Sequence, residues 1–300
     1  VLIPAFKKAG AELQGICSST GTSASVHGRN NGFKKLYSDF DSLVESKNSG
    51  SIVVTTRHDS HASLSLRALK KGKSVFVEKP LALNLEELQQ IRELYLESNF
   101  VPPVLMVGFN RRFSPLAKKM KSLLESQRGP KSLVLMMNAG AIPKDHWTQD
   151  VNQGGGRIVG EAVHFIDLAR FLIGQKIIKV DAHSMSTEAD TKDTATISLK
   201  FEDGSIATVN YFANGAKSYP KERIEAFVSE KVLVLDNFKS LTGYGWPGFK
   251  KKKLFKQNKG QVECASAYLS ALESNQQLIP IDEILEVSEV TIRAARALHD

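Results

Sequence analysis

The spacing of apolar runs in residues 1–110 most constrains the fold of this chain. Short runs rich in Val, Ile, Leu and Phe are separated by segments in which apolar residues recur at helical spacing, and the runs are AELQGICSS, SIVVTT, SVFVEK and PVLMVGF. Strands that alternate with helices are typical of βαβ units, whose strands pair in parallel. We therefore predict an α/β fold in which residues 1–112 form a Rossmann-type, doubly wound parallel sheet.

The pattern changes after residue 112, where strands of clearer alternation follow a single helix. We expect residues 113–300 to form an α+β substrate-binding and oligomerisation domain with a mostly antiparallel open sheet. In ATISLKFEDGSIATVNY, a three-residue loop with Gly204 left-handed sets Leu199 opposite Ala207 and Ile197 opposite Val209, which keeps one face apolar. Helices are predicted near 156–173, 261–274 and 282–298. They cover only part of the sheet, so the other face is expected to serve a homo-oligomer.

Composition excludes several classes of protein. The chain has 300 residues, a net charge of +8 and two cysteines, Cys17 and Cys264, which are far apart. Apolar runs stay well below the roughly 20 residues that span a bilayer, so we expect no membrane partner. The cysteine usage supports neither a disulfide framework nor a zinc cluster and favours the cytoplasm. Much of the positive charge lies in residues 250–259, and we interpret this run as a solvated loop, with a phosphate-bearing ligand or nucleic acid as the alternative.

The stretch SVFVEKPLALN places charged residues where an apolar strand ends. Ligands of open parallel sheets bind beyond the carboxyl ends of the strands. Glu78, Lys79 and Pro80 are therefore candidate cofactor contacts. A lysine that is partly desolvated there can exchange a proton with a substrate hydroxyl or carbonyl. The alternative is that Lys79 only pairs with Glu78 at the rim of the sheet. The following Asn84 and Glu87 predict a capping box that starts the next helix.

Two further strand ends carry polar residues. TTRHDSHA places Thr56, His58 and His61 where a strand gives way to a helix, which fits helix-start packing or cofactor contact. The H-x-x-H spacing lacks a third metal ligand nearby, so we expect no metal. In GICSSTGTS an NAD-selective site would usually carry an acid for the ribose hydroxyls. Because this stretch has none, we predict that the serine and threonine residues accept a 2′-phosphate and that NADP is tolerated at least as well as NAD; these residues are Ser18, Ser19 and Thr20, with Arg29 as a cation whose position the sequence leaves open.

NQGGGRIVGEAVHFIDLARFLIG is the other informative stretch. Its glycines permit close approach of the backbone to another group, and the helix that follows carries Glu161, His164 and Asp167 at i, i+3 and i+6. His164 is a candidate acid or base whose imidazole Asp167 or Glu161 would orient, although a lone helical histidine is often structural. Gly156 and Arg157 are expected to shape a polar substrate pocket.

The first residues, VLIPAFKKAG, have the pattern of the helix that follows a Gly-rich dinucleotide-binding turn. Leu2, Ala5 and Phe6 share one face, and Gly10 ends the pattern. We expect the natural chain to extend upstream by at least about 15 residues that include a G-x-G-x-x-G-like turn. Without that turn the chain is expected to bind dinucleotide poorly.

Together, TTRHDSHASLSLRALKKGKSVFVEKPLALN, VGFNRRFSP and GGGRIVGEAVHFIDLARFLIG resemble the glucose-fructose oxidoreductase and inositol dehydrogenase family, Gfo/Idh/MocA, in order and spacing. The resemblance implies that Lys79 lies beside the nicotinamide and the substrate hydroxyl, that His164 is the catalytic histidine and that His61 lies at the nicotinamide side. It maps a cofactor- or substrate-facing stretch onto Asn110, Arg111 and Arg112. This chain departs from the family at two positions, with Gly160 in place of a usual aspartate and His58 in place of a frequent asparagine. We expect either that Glu161 supplies the carboxylate of the aspartate or that the site lacks this carboxylate.

The predicted function is NAD(P)-dependent hydride transfer between nicotinamide and a secondary alcohol or ketone of a sugar or sugar derivative. The catalytic residues are Lys79, His164 and Glu161, and the substrate residues are Lys79, Arg112, Gly156, Arg157 and His164. Two alternatives stay open at this point. One is NAD-dependent glycoside cleavage by transient oxidation of the sugar. The other is a non-catalytic nucleotide-sensing or scaffolding subunit, which the Gly160 departure favours.

Overall fold

The computed structural model describes residues 1–47, 50–96, 103–186 and 191–299. Its N-terminal part is α/β. The helices and strands of this part are, in chain order, α1 (Leu2–Lys8), β1 (Gly15–Ile16), α2 (Thr22–Asn31), β2 (Lys35–Leu36), α3 (Phe40–Val44), β3 (Ser51–Val54), α4 (His61–Lys70), β4 (Ser74–Val77), α5 (Leu85–Leu96) and β5 (Leu105–Val107).

The parallel pairing predicted for this part is confirmed. β3, β4 and β5 form a three-stranded parallel sheet with β4 in the centre, and β1 pairs in parallel with β2 in a separate sheet. Val75, Phe76 and Val77 of β4 are buried, because α4 packs on the strand and aromatic rings of α1 and the C-terminal part meet Phe76. A strand this apolar is typical of a parallel sheet covered on both faces.

Helix α5 begins at the predicted cap, with one difference. The Asn84 side chain accepts the Glu87 backbone N–H at 2.8 Å, as a helix N-cap does. The Glu87 carboxylate accepts the N–H of Leu83 at 2.9 Å. In a capping box it would accept the N–H of Asn84. The reciprocal bond therefore closes one residue earlier and ties the helix to the segment that follows Pro80.

The C-terminal part is α+β. Its helices and strands are α6 (Pro115–Glu125), β6 (Ser132–Asn138), α7 (Val163–Ile173), β7 (Ile177–Ser184), β8 (Ala195–Phe201), β9 (Ile206–Phe212), β10 (Glu222–Val228), β11 (Lys231–Asp236), β12 (Ser240–Tyr244), β13 (Lys251–Lys253), α8 (Gln261–Ser274) and α9 (Ile281–Ala297). The predicted helices near 261–274 and 282–298 correspond to α8 and α9. The one predicted near 156–173 has two parts, a π-helical turn at Ile158–Ala162 and then α7.

The strands of this part form one sheet in the order β13-β12-β11-β10-β6-β9-β8-β7. All neighbours pair antiparallel except β6 and β9, which are parallel, so the mostly antiparallel open sheet is confirmed. The predicted register of β8 and β9 is also confirmed, since Leu199 lies opposite Ala207 and Ile197 opposite Val209. Gly204 in the connecting loop has a φ of +85°, the left-handed conformation that glycine adopts without strain.

Helix α8 returns to the N-terminal part. Its Tyr268 ring lies 5.4 Å from Phe76 of β4 and 6.2 Å from Phe6 of α1, both in edge-to-face geometry. Aromatic pairs of this kind stabilise a core beyond the area they bury. Helices α6, α7 and α9 contact the large sheet. The division at residues 112 and 113 stays a prediction, and α8 crosses it in space.

The lysine-rich segment differs from the predicted solvated loop. Lys251, Lys252 and Lys253 form β13, an exposed strand at the edge of the large sheet. Exposed lysines on an edge strand discourage pairing with another chain. Lys259 turns inward to a buried carboxylate. Among the described helices, none combines the length with the apolar character needed to cross a bilayer.

Candidate active site

Lys79 lies where the buried strand β4 leaves the sheet. Its ammonium donates a hydrogen bond to the main-chain carbonyl of Gly160, with Nζ and O 2.6 Å apart. The bond joins the end of β4 to the π-helical turn before α7, which is 81 residues further along the chain. The peptide bond from Lys79 to Pro80 is cis. Lys79 therefore links the N-terminal sheet to the segment that carries Glu161 and His164.

The charge state of Lys79 is set by burial and by its neighbours. Burial lowers the pKa of its ammonium, the carboxylates of Glu161 and Glu78 oppose that shift, and the cations of Arg111 and Lys221 add to it. The net direction is downward from the usual value of a lysine. A lysine with a lowered pKa is a better proton acceptor at neutral pH than a solvated one.

Glu78 approaches the neighbouring strand end closely. Its Oε2 accepts the backbone N–H of Lys79 at 3.2 Å, and a Cβ on Gly108 would lie 3.1 Å from the same oxygen. Glycine at residue 108 thus leaves room for the carboxylate beyond β5. Burial raises the pKa of Glu78, while the nearby Lys79 and Arg111 lower it. The alternative that Lys79 only pairs with Glu78 does not describe this rim, because the Lys79 ammonium bonds to the Gly160 carbonyl and the Glu78 carboxylate accepts the Lys79 backbone N–H.

His164 is buried in the first turn of α7, and its Nδ1 has no hydrogen-bond partner within the described residues. The pKa of His164 lies well below its usual value, first because of burial and then because of four nearby cations, Arg111, Lys79, Lys259 and Lys221. The imidazole is therefore neutral at pH 7. The buried Nδ1 is a polar atom for which the described residues supply no partner, and the neutral ring can both donate and accept a hydrogen bond.

Asp167 does not orient the His164 imidazole, contrary to one prediction from the helical spacing. Its carboxylate forms an ion pair with Arg112, whose Nε lies 3.1 Å from Oδ2, and a second bond joins the other oxygen to the guanidinium. Arg112 also donates to Glu283 at 2.7 Å. A fully buried carboxylate needs a charged partner, and a guanidinium satisfies both of its oxygens. Glu161 and Glu78 are the carboxylates that act on Lys79.

His58 and His61 bond to the main chain. The Nδ1 of His58 lies 2.8 Å from the Gly154 carbonyl. The ring nitrogens of His61 lie near two carbonyls, that of Pro80 at 2.8 Å from Nδ1 and that of Thr56 at 3.0 Å from Nε2, and the single N–H of the neutral ring donates to one of them. Burial lowers the pKa of His61 and brings the pKa of His58 down to about 4. Both histidines thus hold loops together at the carboxyl ends of β3 and β4.

The segment Asn110–Phe113 is anchored by long-range bonds. Arg111 donates twice to the buried carboxylate of Glu222, at 2.9 and 3.0 Å, and Lys259 donates to the same carboxylate at 2.6 Å. The Asn110 amide donates to the Lys259 carbonyl at 2.7 Å. Although burial acts in the opposite direction, the two cations lower the pKa of Glu222. This network fixes the strand end beside Lys79 against β10.

Arg157 follows the glycine run and bonds to other parts of the C-terminal part. It donates to the carbonyl of Gly140 at 2.7 Å, approaches Asp193 at 3.7 Å and stacks over the ring of Tyr211, 5.3 Å from the ring centre. Gly156 precedes it with a φ of +76°. Burial of Arg157 is nearly complete, and its contacts hold the glycine run against β9.

Two sequence models cover most of the chain. Residues 2–109 match the oxidoreductase family model GFO_IDH_MocA, described as an NAD-binding Rossmann fold, and residues 126–234 match the model of the GFO/IDH/MocA C-terminal domain. The chain belongs to the Gfo/Idh/MocA oxidoreductase family. The chain thus contains both domains that the family models describe, in the order that the sequence resemblance indicates.

Similar proteins of this Gfo/Idh/MocA family include sugar-alcohol enzymes. Myo-inositol 2-dehydrogenase of Thermotoga maritima is 29% identical over 70% of this chain and 64% of its own length. Inositol 2-dehydrogenase 2 of Saccharopolyspora erythraea is 32% identical over 62% of this chain and 54% of its own length. This chain thus spans under two thirds of either relative. A crystal structure of an oxidoreductase domain protein from Kribbella flavida has a TM-score of 0.86 at 18% identity and covers 99% of this chain and 92% of its own, which confirms the fold.

Four further candidate cofactor residues of this Gfo/Idh/MocA chain lie at the ends of β1 and β3. Ser18 follows β1 and accepts the N–H of Ala24 in α2 at 3.0 Å, while Ser19 and Thr20 are exposed. Thr56 follows β3 and accepts the hydroxyl of Ser60 at 2.6 Å. The hydroxyls of Ser19 and Thr20 are thus free to meet a ligand, and those of Ser18 and Thr56 help to shape the turns.

Sequence reasoning missed the partners that complete the site. Glu222 and Lys259 lie more than 100 residues from Arg111, and Tyr211 lies on a strand whose alternation indicates only an inward-facing position. Glu222 begins β10 after a Lys221 that contributes to the cationic surrounding of His164. A glutamate at an inward-facing strand position is the one indication of this network in the sequence, because buried charges are usually paired.

Proposed function

We propose that this protein is an NAD(P)-dependent oxidoreductase that transfers hydride between nicotinamide and a secondary alcohol or ketone of a sugar or sugar derivative. The observation that carries the proposal is the placement of the Lys79 ammonium at the carboxyl end of a central parallel strand, bonded to Gly160 in the segment that holds His164. When bound, the nicotinamide supplies the hydride acceptor or donor. The neutral imidazole of His164, with Lys79 among its neighbouring cations, and the exposed hydroxyls after β1 support such a ligand pair.

Lys79 serves as the proton acceptor in the direction of oxidation. As the substrate carbon loses hydride, its hydroxyl proton passes to the amine of Lys79 and the carbon–oxygen bond becomes a carbonyl. In the reverse direction the ammonium returns the proton. Burial lowers the pKa of Lys79 and so favours the amine form that oxidation needs, and Glu161 opposes that shift and keeps the ammonium form accessible.

His164 orients the substrate hydroxyl. Its ring is neutral because burial and surrounding cations keep its pKa low, and one ring nitrogen is unpartnered. A neutral imidazole can donate to or accept from a hydroxyl without placing a further charge beside Lys79. Glu161 is the acidic member of this group. Among the residues predicted as substrate contacts, Arg112 bonds to Asp167 of α7, and Gly156 and Arg157 belong to the segment of the glycine run, so all three position the residues around Lys79 and His164.

The relatives support a polyol or cyclic sugar alcohol as the substrate class, since both named relatives are inositol 2-dehydrogenases. We propose a cytoplasmic location from the cysteine usage. We also propose a homo-oligomer that forms through the outer face of the large sheet, where Val134, Met136 and Val234 are half-buried in a single chain. A monomer in sedimentation at micromolar concentration would contradict that part of the proposal.

The residues that follow β1 bear on the preference between NAD and NADP. Neither an aspartate nor a glutamate follows this strand, and Ser19 and Thr20 are exposed just before α2. An acid at this position would select NAD by binding the ribose hydroxyls and repelling a 2′-phosphate. We therefore expect NADP to bind at least as tightly as NAD. A dissociation constant for NADP that is about tenfold weaker, a difference of about 1.4 kcal/mol, contradicts this expectation.

The proposal is tested by Lys79→Met in an assay of reduced cofactor formation with myo-inositol and a panel of sugars. We expect kcat to fall roughly 100-fold or more, while the dissociation constant for reduced cofactor, followed by nicotinamide fluorescence, changes little. Lys70→Met, at the exposed end of α4, is the control and should keep full activity. Near-normal turnover of Lys79→Met contradicts the assignment. Product analysis separates net oxidation from glycoside cleavage, and cofactor binding without any turnover favours a sensing subunit.

A further inference from the structure

Gly160 leaves space that the ring of His58 fills. A Cβ built on Gly160 would lie 2.9 Å from Cε1 and 3.4 Å from Nδ1 of His58, closer than real Cβ atoms approach a ring carbon. The ring cannot withdraw easily, because its Nδ1 is bonded to the Gly154 carbonyl and the ring packs in edge-to-face geometry with Trp147, with ring centres 4.7 Å apart. Residue 160 can therefore carry no side chain while His58 keeps this position.

The loop that carries His58 is joined to the glycine run by further bonds. The N–H of Asp59 donates to the Gln153 carbonyl at 3.1 Å, and the guanidinium of Arg57 bonds to the Gln153 side chain. These contacts connect the end of β3 with residues 147–160 of the C-terminal part. The position of the π-helical turn is thus set from the N-terminal part of the chain, with His58 at the centre of the contact.

The same turn presents a carbonyl to Lys79. Gly160 O lies 2.6 Å from the ammonium, so the residue whose Cβ space is filled by His58 is also the residue that holds Lys79. π-helical turns are rare and are frequently found at functional sites. A shift of this turn by a few tenths of an ångström would weaken a bond of this length.

We propose that His58 is a positioning residue for Lys79, and that His58 and Gly160 form a matched pair in which the imidazole fixes the π-helical turn so that its carbonyl meets the ammonium. The catalytic meaning of this pair rests on the function proposed above. The pair also accounts for both departures from the family pattern with one physical cause, since a side chain at residue 160 and the His58 ring exclude each other.

The test measures the pKa of the Lys79 amine without needing a substrate. Trace labelling with acetic anhydride over a pH series, with mass spectrometry of the Lys79 peptide, reports that pKa directly. The charged and titratable groups around Lys79 are Glu78, Glu161, Arg111, Lys221, His58, His61 and His164. Of these groups, the variants change only His58.

Gly160→Ala should lower the labelling pKa of Lys79 by about one pH unit, because the displaced carbonyl no longer stabilises the ammonium. His58→Asn removes the ring atoms that would clash and keeps a donor for Gly154. In the double variant the labelling pKa should return to that of His58→Asn alone, which is the non-additivity expected of residues in contact. Gly50→Ala is the matched control, since a Cβ there meets no atom within 4 Å.

Two outcomes overturn the proposal. One is an unchanged labelling pKa of Lys79 in Gly160→Ala, and the other is a double variant whose Lys79 is perturbed by the sum of the single effects. If Gly160→Ala does not fold, His58→Ala replaces it. Emptying the ring position should again lower the labelling pKa of Lys79, and an unchanged value overturns the proposal.

Turnover is measured beside the labelling. Where the sugar panel gives a product, Gly160→Ala should lower kcat more than it raises KM and should shift the pH profile of kcat, and His58→Asn in the same chain should restore both. A protein that shows the expected coupling in Lys79 labelling but oxidises no sugar or polyol overturns the proposed function and leaves the positioning role intact. Oxidation of a sugar or polyol without the expected coupling in Lys79 labelling overturns the positioning role and leaves the proposed function intact.

Discussion

At the scale of the residue, the fully buried Glu222 carboxylate holds chain segments of the candidate site together. Two cations contact it directly, Arg111 through two bonds and Lys259 through one. Removing one partner of a buried pair leaves an uncompensated charge, which costs far more than the pair contributes over an apolar replacement. The arrangement also brings three chain segments together beside Lys79.

We predict that Arg111→Met lowers the free energy of unfolding by about 3–5 kcal/mol, because Glu222 then keeps only Lys259. Arg223→Met is the matched control, since Arg223 forms an exposed pair with Glu225 on the same strand. Surface pairs contribute about 0–1 kcal/mol. Urea denaturation of both variants measures the difference. Equal losses in the two would show that burial of Glu222 does not set the cost.

The residues that could be predicted from the sequence are those fixed by local order. Lys79 follows an apolar strand and His164 follows a glycine run, so both are visible in short stretches. The partners of these residues depend on contacts across more than 50 residues, such as Arg112 with Asp167 and His58 with Gly154. Helical spacing placed Asp167 within reach of His164, yet a buried carboxylate pairs with a guanidinium when one is close.

At the scale of the element, helix α5 shows how a predicted boundary is fixed. Asn84 accepts the Glu87 N–H and so satisfies one of the donors that a helix start leaves free. The helix follows the Glu78–Pro80 segment directly, so its start limits the freedom of the chain that leaves β4. The cap therefore contributes to the rigidity of the lysine position as well as to helix stability.

We expect Asn84→Ala to lower the free energy of unfolding by about 1 kcal/mol, the usual cost of losing an N-cap. Gln90→Ala, at an exposed position of the same helix, serves as the control and should change stability by less than about 0.5 kcal/mol. Thermal and urea unfolding of the two variants provide the measurement. A loss in Gln90→Ala as large as that in Asn84→Ala would contradict the capping role, because alanine at residue 90 removes no cap and is the better helix former.

Elements with strong periodicity were predictable, and their irregular parts were not. The strands around β4 and the β8–β9 hairpin follow from apolar alternation and turn chemistry. The π-helical turn before α7 and the edge strand β13 depend on tertiary contacts, since Gly160 is held by Lys79 and His58 and the lysines pair with β12. Composition predicted a solvated segment at residues 250–259 but not its strand pairing.

At the scale of the whole molecule, side-chain contacts join the N-terminal and C-terminal parts at several places. Tyr268 of α8 packs on Phe6 and Phe76, Glu222 of the large sheet pairs with Arg111, and His58 bonds to the glycine run. The candidate site lies near these contacts between the two parts. Because its geometry depends on both halves, conditions that loosen their contact should affect stability and the site together.

The buried histidines provide such a condition, because the fold holds them in the neutral form. The pKa of His58 is about 4 in the fold, first because of burial, and those of His61 and His164 are also lowered. An unfolded histidine has a pKa of about 6.5 and binds more protons than the folded one between these values. The folded state therefore loses stability as pH falls through this window.

We predict that the free energy of unfolding decreases between pH 7 and pH 5, with roughly 1–2 kcal/mol of the decrease due to His58 after allowance for solvent screening. His58→Asn removes one of these titrations, so its stability should depend less steeply on pH than that of the wild type over the same range. Urea denaturation at half-unit pH intervals measures both slopes. His27→Asn, at an exposed position of α2, is the control and should leave the slope unchanged. If the slope of His58→Asn equals that of the wild type, His58 is not held neutral by the fold.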